Sequence, residues 1–290
     1  PYSASTEEFN TGVAVGAWST GGSLNTARDQ LAGAGTQTSA LAFGGRPDTG
    51  KTESYNGTSW TEVNDLITAR NDLGGVGVSN TAALAFGGDL NPGTNTELWN
   101  GTNWTAVNAL QTDGGKIGAS AGIQTSALAI GGERPLAVSP TVNVESWNGT
   151  NWTEVNNTNT VKDLAAGAGA DNTAAIAFGG NVSPKANTEL WNGTNWTEVN
   201  DLNTGRDNLA SAGTSTAALA FGGSAPPVTG KTEIWNGTNW TETTDLTIAR
   251  ASLGGAGTNT AALAFGGTPP FLTATEEWND PGTITKTLTT

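Results

Sequence analysis

Six Gly-Gly pairs, each closing an apolar run, divide this 290-residue chain into near-equal units. They stand at Gly44-Gly45, Gly87-Gly88, Gly131-Gly132, Gly179-Gly180, Gly222-Gly223 and Gly266-Gly267, spaced by 43, 44, 48, 43 and 44 residues. Such a period marks an array of supersecondary units, none of which can bury its apolar face alone. Downstream of each pair comes Glu-x-aromatic: Glu53/Tyr55, Glu97/Trp99, Glu145/Trp147, Glu189/Trp191, Glu233/Trp235 and Glu276/Trp278. A degenerate extra copy, Glu7/Phe9, precedes the first.

One unit holds four short runs, a to d: Gly-rich Leu73 to Val78, then Thr81 to Phe86, Thr96 to Trp99 and Asn103 to Val107. Their length and punctuation predict strands. Run b, Ala82-Ala83-Leu84-Ala85-Phe86, is apolar on both faces, as expected of a sheet packed between two others. The glycines of run a suit backbones crowded about an axis. Helix is expected to be scarce, because no segment sustains a 3.6-residue apolar period.

Runs c and d are joined by Trp-Asn-Gly-Thr-Asn-Trp, and Asn-Gly is the strongest short hairpin signal. Strand parity then places Trp99 and Trp104 on one face with Glu97 beside them. The hairpin recurs at Trp147/Trp152, Trp191/Trp196 and Trp235/Trp240, and as Tyr55/Trp60. These Trp pairs are expected to pack between repeats. Four-stranded sheets repeated around a ring describe a β-propeller, an all-β fold that leaves few exposed edges. An open solenoid would need polar capping repeats, and the terminal units lack them. Six blades are expected, with residues 1 to 22 an N-terminal c-d hairpin (Phe9, Trp18) at the seam and residues 23 to 290 the six repeats. A second terminal hairpin, with Ile284 in place of its second Trp, leaves seven blades as the alternative.

Composition removes most chemistry. The chain has neither Cys nor His, which excludes thiolate and imidazole metal sites, Cys nucleophiles, the Ser-His-Asp triad and disulfides. A net charge of -14 disfavours tracking nucleic-acid phosphates or anionic membranes. No apolar run approaches a membrane span, and the opening Pro1-Tyr2-Ser3 reads as the start of a processed piece. No metal or other cofactor and no catalytic residue is expected.

The order of apolar run, Gly-Gly, variable loop, Glu-x-aromatic, turn, Trp and Arg resembles the kelch repeat over nearly the whole chain. Ala-Gly-Thr-Gln-Thr (34 to 38), Thr-Glu-Glu-Trp (275 to 278) and the closing Thr-Ile-Thr-Lys-Thr-Leu are similar to kelch-like repeat proteins of marine tailed phages. That resemblance implies a virion-associated tail-fibre or appendage component, on the virion surface or otherwise extracellular. The chain departs from enzymatic relatives of the fold: a galactose-oxidase-like copper centre needs His and a Cys-crosslinked Tyr, and sialidase-type Asp boxes are missing.

Variation among the repeats is concentrated between runs b and c, where nine of the 11 prolines lie. Pre-ordered loops lower the entropic cost of recognition. In a propeller the b-to-c and d-to-a connections share one end, so 11 of the 12 cations gather there. Arg46, Asp48, Asp89, Glu133, Arg134, Lys185 and Lys231 are the candidate ligand-binding residues. The once-per-repeat cations Arg28, Arg70, Lys162, Arg206 and Arg250 are expected to pair with a neighbouring blade's Glu. The sequence thus favours a non-catalytic module binding a host-surface glycan or protein through its variable loops. The alternative is a structural propeller touching only other virion subunits.

Overall fold

In the computed structural model the described residues are 16–47, 50–90, 93–112, 115–134, 139–183 and 185–281, with the backbone alone at 134 and 139. They form six four-stranded antiparallel sheets and, among the described residues, no helix. Blades 1 to 5 span residues 32–63, 74–107, 119–155, 166–198 and 210–242, each in the order a-b-c-d. In blade 2 the strands are Gly74–Ser79, Ala82–Phe86, Thr96–Trp99 and Trp104–Val107, within a residue of the runs in the sequence. The a strands of successive blades contact one another around the ring, including those of blades 1 and 6, so the fold is a closed six-bladed β-propeller.

Blade 6 is assembled from both ends of the chain. Gly254–Gly257, Ala261–Phe265 and Thr275–Asn279 supply a, b and c, and Ala17–Thr20 supplies d. Trp18 opposes Trp278 across the seam, with ring centroids 5.4 Å apart. Of the two terminal hairpins anticipated, Trp18 is therefore the fourth strand of the last blade. The partner arms, at Phe9 and Ile284, lie outside the described residues.

Each junction between blades repeats one packing scheme. Trp99 and Trp104 face each other across strands c and d, centroids 5.3 Å apart, and pack on Leu41 and Phe43 of blade 1 together with Ala83 and Ala85. Trp147/Trp152, Trp191/Trp196 and Trp235/Trp240 do the same at the next three junctions. Small Ala on one face of strand b and large Leu and Phe on the other let the sheets interdigitate. Each d-strand indole also needs a partner for its buried N–H. Trp104, Trp152, Trp240, Trp18 and Trp60 donate to Thr52, Thr96, Thr188, Thr232 and Thr275 of the preceding blade. Blade 3 has Val144 at that Thr position, and Trp196 turns instead to the Asn156 carbonyl, 3.1 Å away.

The Gly-Gly pairs and the repeated Glu residues join the connectors to the blades. At all six junctions the second Gly donates its N–H to the carbonyl of the next connector, from Gly45 to Arg70 through Gly267 to Arg28. Both glycines have φ between +61° and +118°, and a Cβ on Gly45 would sit 2.7 Å from the Asp29 carbonyl oxygen. That is conformation and clearance only Gly supplies. The Glu of strand c accepts backbone N–H bonds from the incoming connector, as Glu189 does from Asn159 and Thr160. It also meets a buried cation from that connector: Arg28–Glu53 at 3.0 Å, Lys162–Glu189 at 3.3 Å, Arg250–Glu276 at 3.0 Å, and closer contacts for Arg70–Glu97 and Arg206–Glu233. Burial pulls the Lys162 ammonium's pKa down against the upward pull of Glu189. Burial pushes the Glu189 carboxyl up, but bonds from Thr160 and Asn159 and the Lys162 charge outweigh it and the net direction is down. Blade 3 again differs: Gly115 occupies the cation position, and buried Glu145 is held by Gln111 and Thr112.

At the end bearing the c-d turns, Asn100 Oδ1 accepts from the Thr102 and Asn103 backbone, an Asx turn that explains the residue type. Asn56, Asn148 and Asn236 repeat it. Asn64, Asn108, Asn156 and Asn200, just past strand d, each donate to the turn of the next blade, a peripheral ladder from blade 1 to blade 5.

Candidate functional site

The opposite end is built from two short backbone segments per blade. The residue after Gly-Gly donates its N–H to the carbonyl of a residue just past the connector cation, 2.7–3.0 Å away at every blade. The partners are Arg46 with Asp29, Asp89 with Asn71, Glu133 with Lys116, Asn181 with Asp163, Ser224 with Asp207 and Thr268 with Ala251. One backbone geometry thus carries Arg, Asp, Glu, Asn, Ser and Thr at one position, six residues in six blades. Next along the connector stand Gln30, Asp72, Ile117, Leu164, Asn208 and Ser252, again six different residues.

This last set surrounds one mouth of the central channel, a cavity of about 410 Å³ whose wall is the six a strands. Five backbone hydrogen bonds link it into a chain around the axis: Gln30 to Ser252, Asp72 to Gln30, Ile117 to Asp72, Asn208 to Leu164 and Ser252 to Asn208, all 2.8–3.0 Å. Gln30, Asp72, Leu164, Asn208 and Ser252 have φ of 51–53°, a left-handed conformation that costs a non-Gly residue about 1 kcal/mol or more. A chain with 41 glycines keeps side chains at five positions where Gly would relieve strain. Such strain concentrates at functional sites.

Charge at the mouth is uneven. Arg46 grips buried Asp29 through two hydrogen bonds, 2.9 and 2.7 Å, and Lys185 meets Asp207 at 2.8 Å. Lys116 lies 3.3 Å from Glu133 and also interacts with Asp72 and Asp89, which help hold its pKa up against partial burial. Burial pushes the Asp72 carboxyl up to about 7, with Lys116 opposing and Asp89 adding to the rise. Burial likewise raises Asp163, which Asn181 and Lys116 oppose and Glu133 reinforces. The blade 6 sector, Ala251, Ser252 and Thr268, is uncharged.

The residues anticipated as a binding set therefore divide. Arg46, Asp89 and Glu133 occupy equivalent mouth positions, and Lys185 reaches the same rim through Asp207. Lys231 turns outward to Glu242 on strand d, 2.6 Å away, and Lys51 does the same with Glu62. Asp48 lies outside the described residues, and at Arg134 only a backbone pairing with Ser139 is described. Five of the once-per-repeat cations are consumed in buried pairs. Sequence reasoning missed Asp72, Lys116 and Asp163 as mouth residues. The available signal was a column-by-column comparison of the residues following Arg28, Arg70 and their equivalents, where blade 3 is offset because Gly115, not Lys116, fills the cation position.

The sequence matches no protein-family model and no curated protein. Among solved structures the fold is similar to one titled "Structure of YjhT", with a TM-score of 0.70 and 11% identity over 90% of this chain and 96% of that one. The likeness is one of fold.

Proposed function

We propose that this chain is a non-catalytic recognition module that binds its ligand at the loop-bearing channel mouth. The observation that carries the reading is residue diversity at the mouth: the residue after Gly-Gly differs in every blade while its backbone hydrogen bond is kept in all six, and five of the six varied residues lining the channel are held in a strained conformation that preserves a side chain. Repeat architectures keep framework positions uniform for packing and leave a shared face free to vary for binding. The sequence phrases resembling phage kelch-like repeats support a phage virion appendage or other extracellular particle as its carrier and a host-surface glycan or protein as its ligand, with other virion subunits as further partners.

The test is exchange of the mouth residues of blades 1 to 5 for those of blade 6, Ala, Ser and Thr, leaving every latch Glu and Trp in place. Binding of the domain to host envelope or to a glycan array should disappear while the thermal midpoint stays within a few degrees. Undiminished binding after the complete exchange would sink the reading. An assembly role is favoured by the near-uniform blades, and a density map of the intact particle with the mouth buried against another subunit would establish it instead.

A further inference from the structure

Four of the six residues around the channel mouth form one unbroken polar arc. Their backbones are bonded in order about the axis: Ser252 donates its N–H to the Asn208 carbonyl, Gln30 to that of Ser252 and Asp72 to that of Gln30, at 2.8–3.0 Å. The arc thus runs through blades 5, 6, 1 and 2 with each residue directly beside the next. All four have φ of 51–53° and line the same cavity of about 410 Å³, a volume within the range of small-ligand sites. Leu164, in the same backbone conformation, extends the arc by an apolar side chain in blade 4. Ile117 does not join it, because its side chain packs into the blade junction beneath Gly87.

The arc has hydrogen-bonding capacity to spare. The Oε1 of Gln30 has no partner, and among the described residues the Asp72 carboxyl accepts no hydrogen bond. Ser252 gives its proton to Asn208 Oδ1 and keeps its oxygen as an acceptor, while Asn208 Nδ2 spends one of its two N–H groups on Asp207. Deeper in the wall, the Ser120 and Ser211 hydroxyls are already given to the Gly75 and Gly167 carbonyls. Among the described residues lining the channel Asp72 alone is charged, and no Lys or Arg lines it.

Resting on the recognition reading above, we infer that the Asn208–Ser252–Gln30–Asp72 arc is a subsite for one neutral sugar residue of the ligand, held by its hydroxyl groups with Leu164 as the apolar contact. A sugar hydroxyl both donates and accepts, and the arc supplies both kinds of partner: carboxylate oxygens at Asp72, amides at Gln30 and Asn208, and a hydroxyl at Ser252. A bare cation would meet amide N–H groups beside the carboxylate. An anionic sugar would bring its charge to Asp72 with no cation on the wall to offset it, and such a repulsive element separates neutral sugars from their uronic acids.

The probes are the methyl glycosides of glucose, galactose and mannose, each beside the methyl glycoside of its uronic acid. They are titrated calorimetrically into the whole chain at pH 8, above the value of about 7 at Asp72. At least one neutral glycoside is expected to saturate a single site, about tenfold or more tighter than its uronate. Asp72→Asn should weaken the neutral glycoside about tenfold, the scale of one charge-assisted contact, and bring the two probes close together by removing the repelling charge. Gln30→Gly should weaken binding without lowering the thermal midpoint, since Gly accepts φ of 52° at no steric cost; a side chain kept only for stability would show the reverse. Asp171→Asn, on the opposite end, should leave affinity unchanged. No saturable binding of any neutral glycoside, equal binding of sugar and uronate, or a ratio unmoved by Asp72→Asn would overturn the subsite. That result, with host binding still abolished by the mouth exchange, rejects the sugar and keeps the recognition reading. Host binding that survives the exchange rejects the reading itself.

Discussion

At the turn end of the ring, Asn56, Asn100, Asn148 and Asn236 repeat one residue, one Asx turn and one set of hydrogen bonds. At the mouth end, the residues after Gly-Gly share one backbone hydrogen bond and no two share a side chain. Both ends belong to the same repeat. The difference is in what holds the backbone: at the turns the side chain itself forms the structure, whereas at the mouth the Gly-Gly hydrogen bonds and the Glu latches fix the chain from beneath. Side chains above that frame differ without disturbing the backbone beneath them.

The contrast predicts a hierarchy of costs. Trp152→Ala should be the most damaging change, about 3–5 kcal/mol, because it empties the packing against Phe86 and strands the Thr96 hydroxyl; chemical denaturation measures it. A value under 1 kcal/mol would break the claim that the Trp pairs hold the junctions. Next comes Glu189→Gln, which leaves buried Lys162 without its charge partner and should cost about 3–5 kcal/mol. Glu145→Gln should cost appreciably less, about 1–2 kcal/mol, since no cation meets Glu145 among the described residues. The same denaturation series compares them. Asn200→Ala removes two peripheral bonds to blade 5 and should lower stability by about 1 kcal/mol.

At the mouth the sign of the effect differs. The Asp72 carboxyl is pushed up to about 7 from an ordinary value of 3.8. Between those values the folded state holds a proton that the unfolded state has released, so the group's contribution to stability declines as pH rises through that window and levels off above about 7. Asp72→Asn should therefore raise the thermal midpoint at pH 8 by more than at pH 5. An equal shift at both values would mean that the carboxyl titrates normally.

Much of this was legible in the sequence. Gly-Gly, Glu-x-aromatic and the Trp spacing carry the fold because each is a local device with one geometric meaning repeated six times. The shared end of the b-to-c and d-to-a connections followed from topology. The mouth residues were not legible individually, because Asp72, Lys116 and Asp163 belong to no motif; Lys116 and Asp163 stand at equivalent positions, and Asp72 one position further along, only once the repeats are superposed. Lys231 misled for the opposite reason: it sits in a variable loop, yet strand pairing brings Glu242 within its reach. The last blade could be counted but not assembled, since nothing local says that Trp18 opposes Trp278.

That seam has a consequence for biosynthesis. The strand holding Trp18 leaves the ribosome before every other strand of the ring, whereas Thr275–Asn279, the edge it pairs with, is the last of them. Five blades can form in turn as they emerge, but the circle waits for the final one. Until then Trp18 and the inner wall of blade 1 stay wet, so premature termination anywhere before residue 275 yields an unclosed arc rather than a smaller ring.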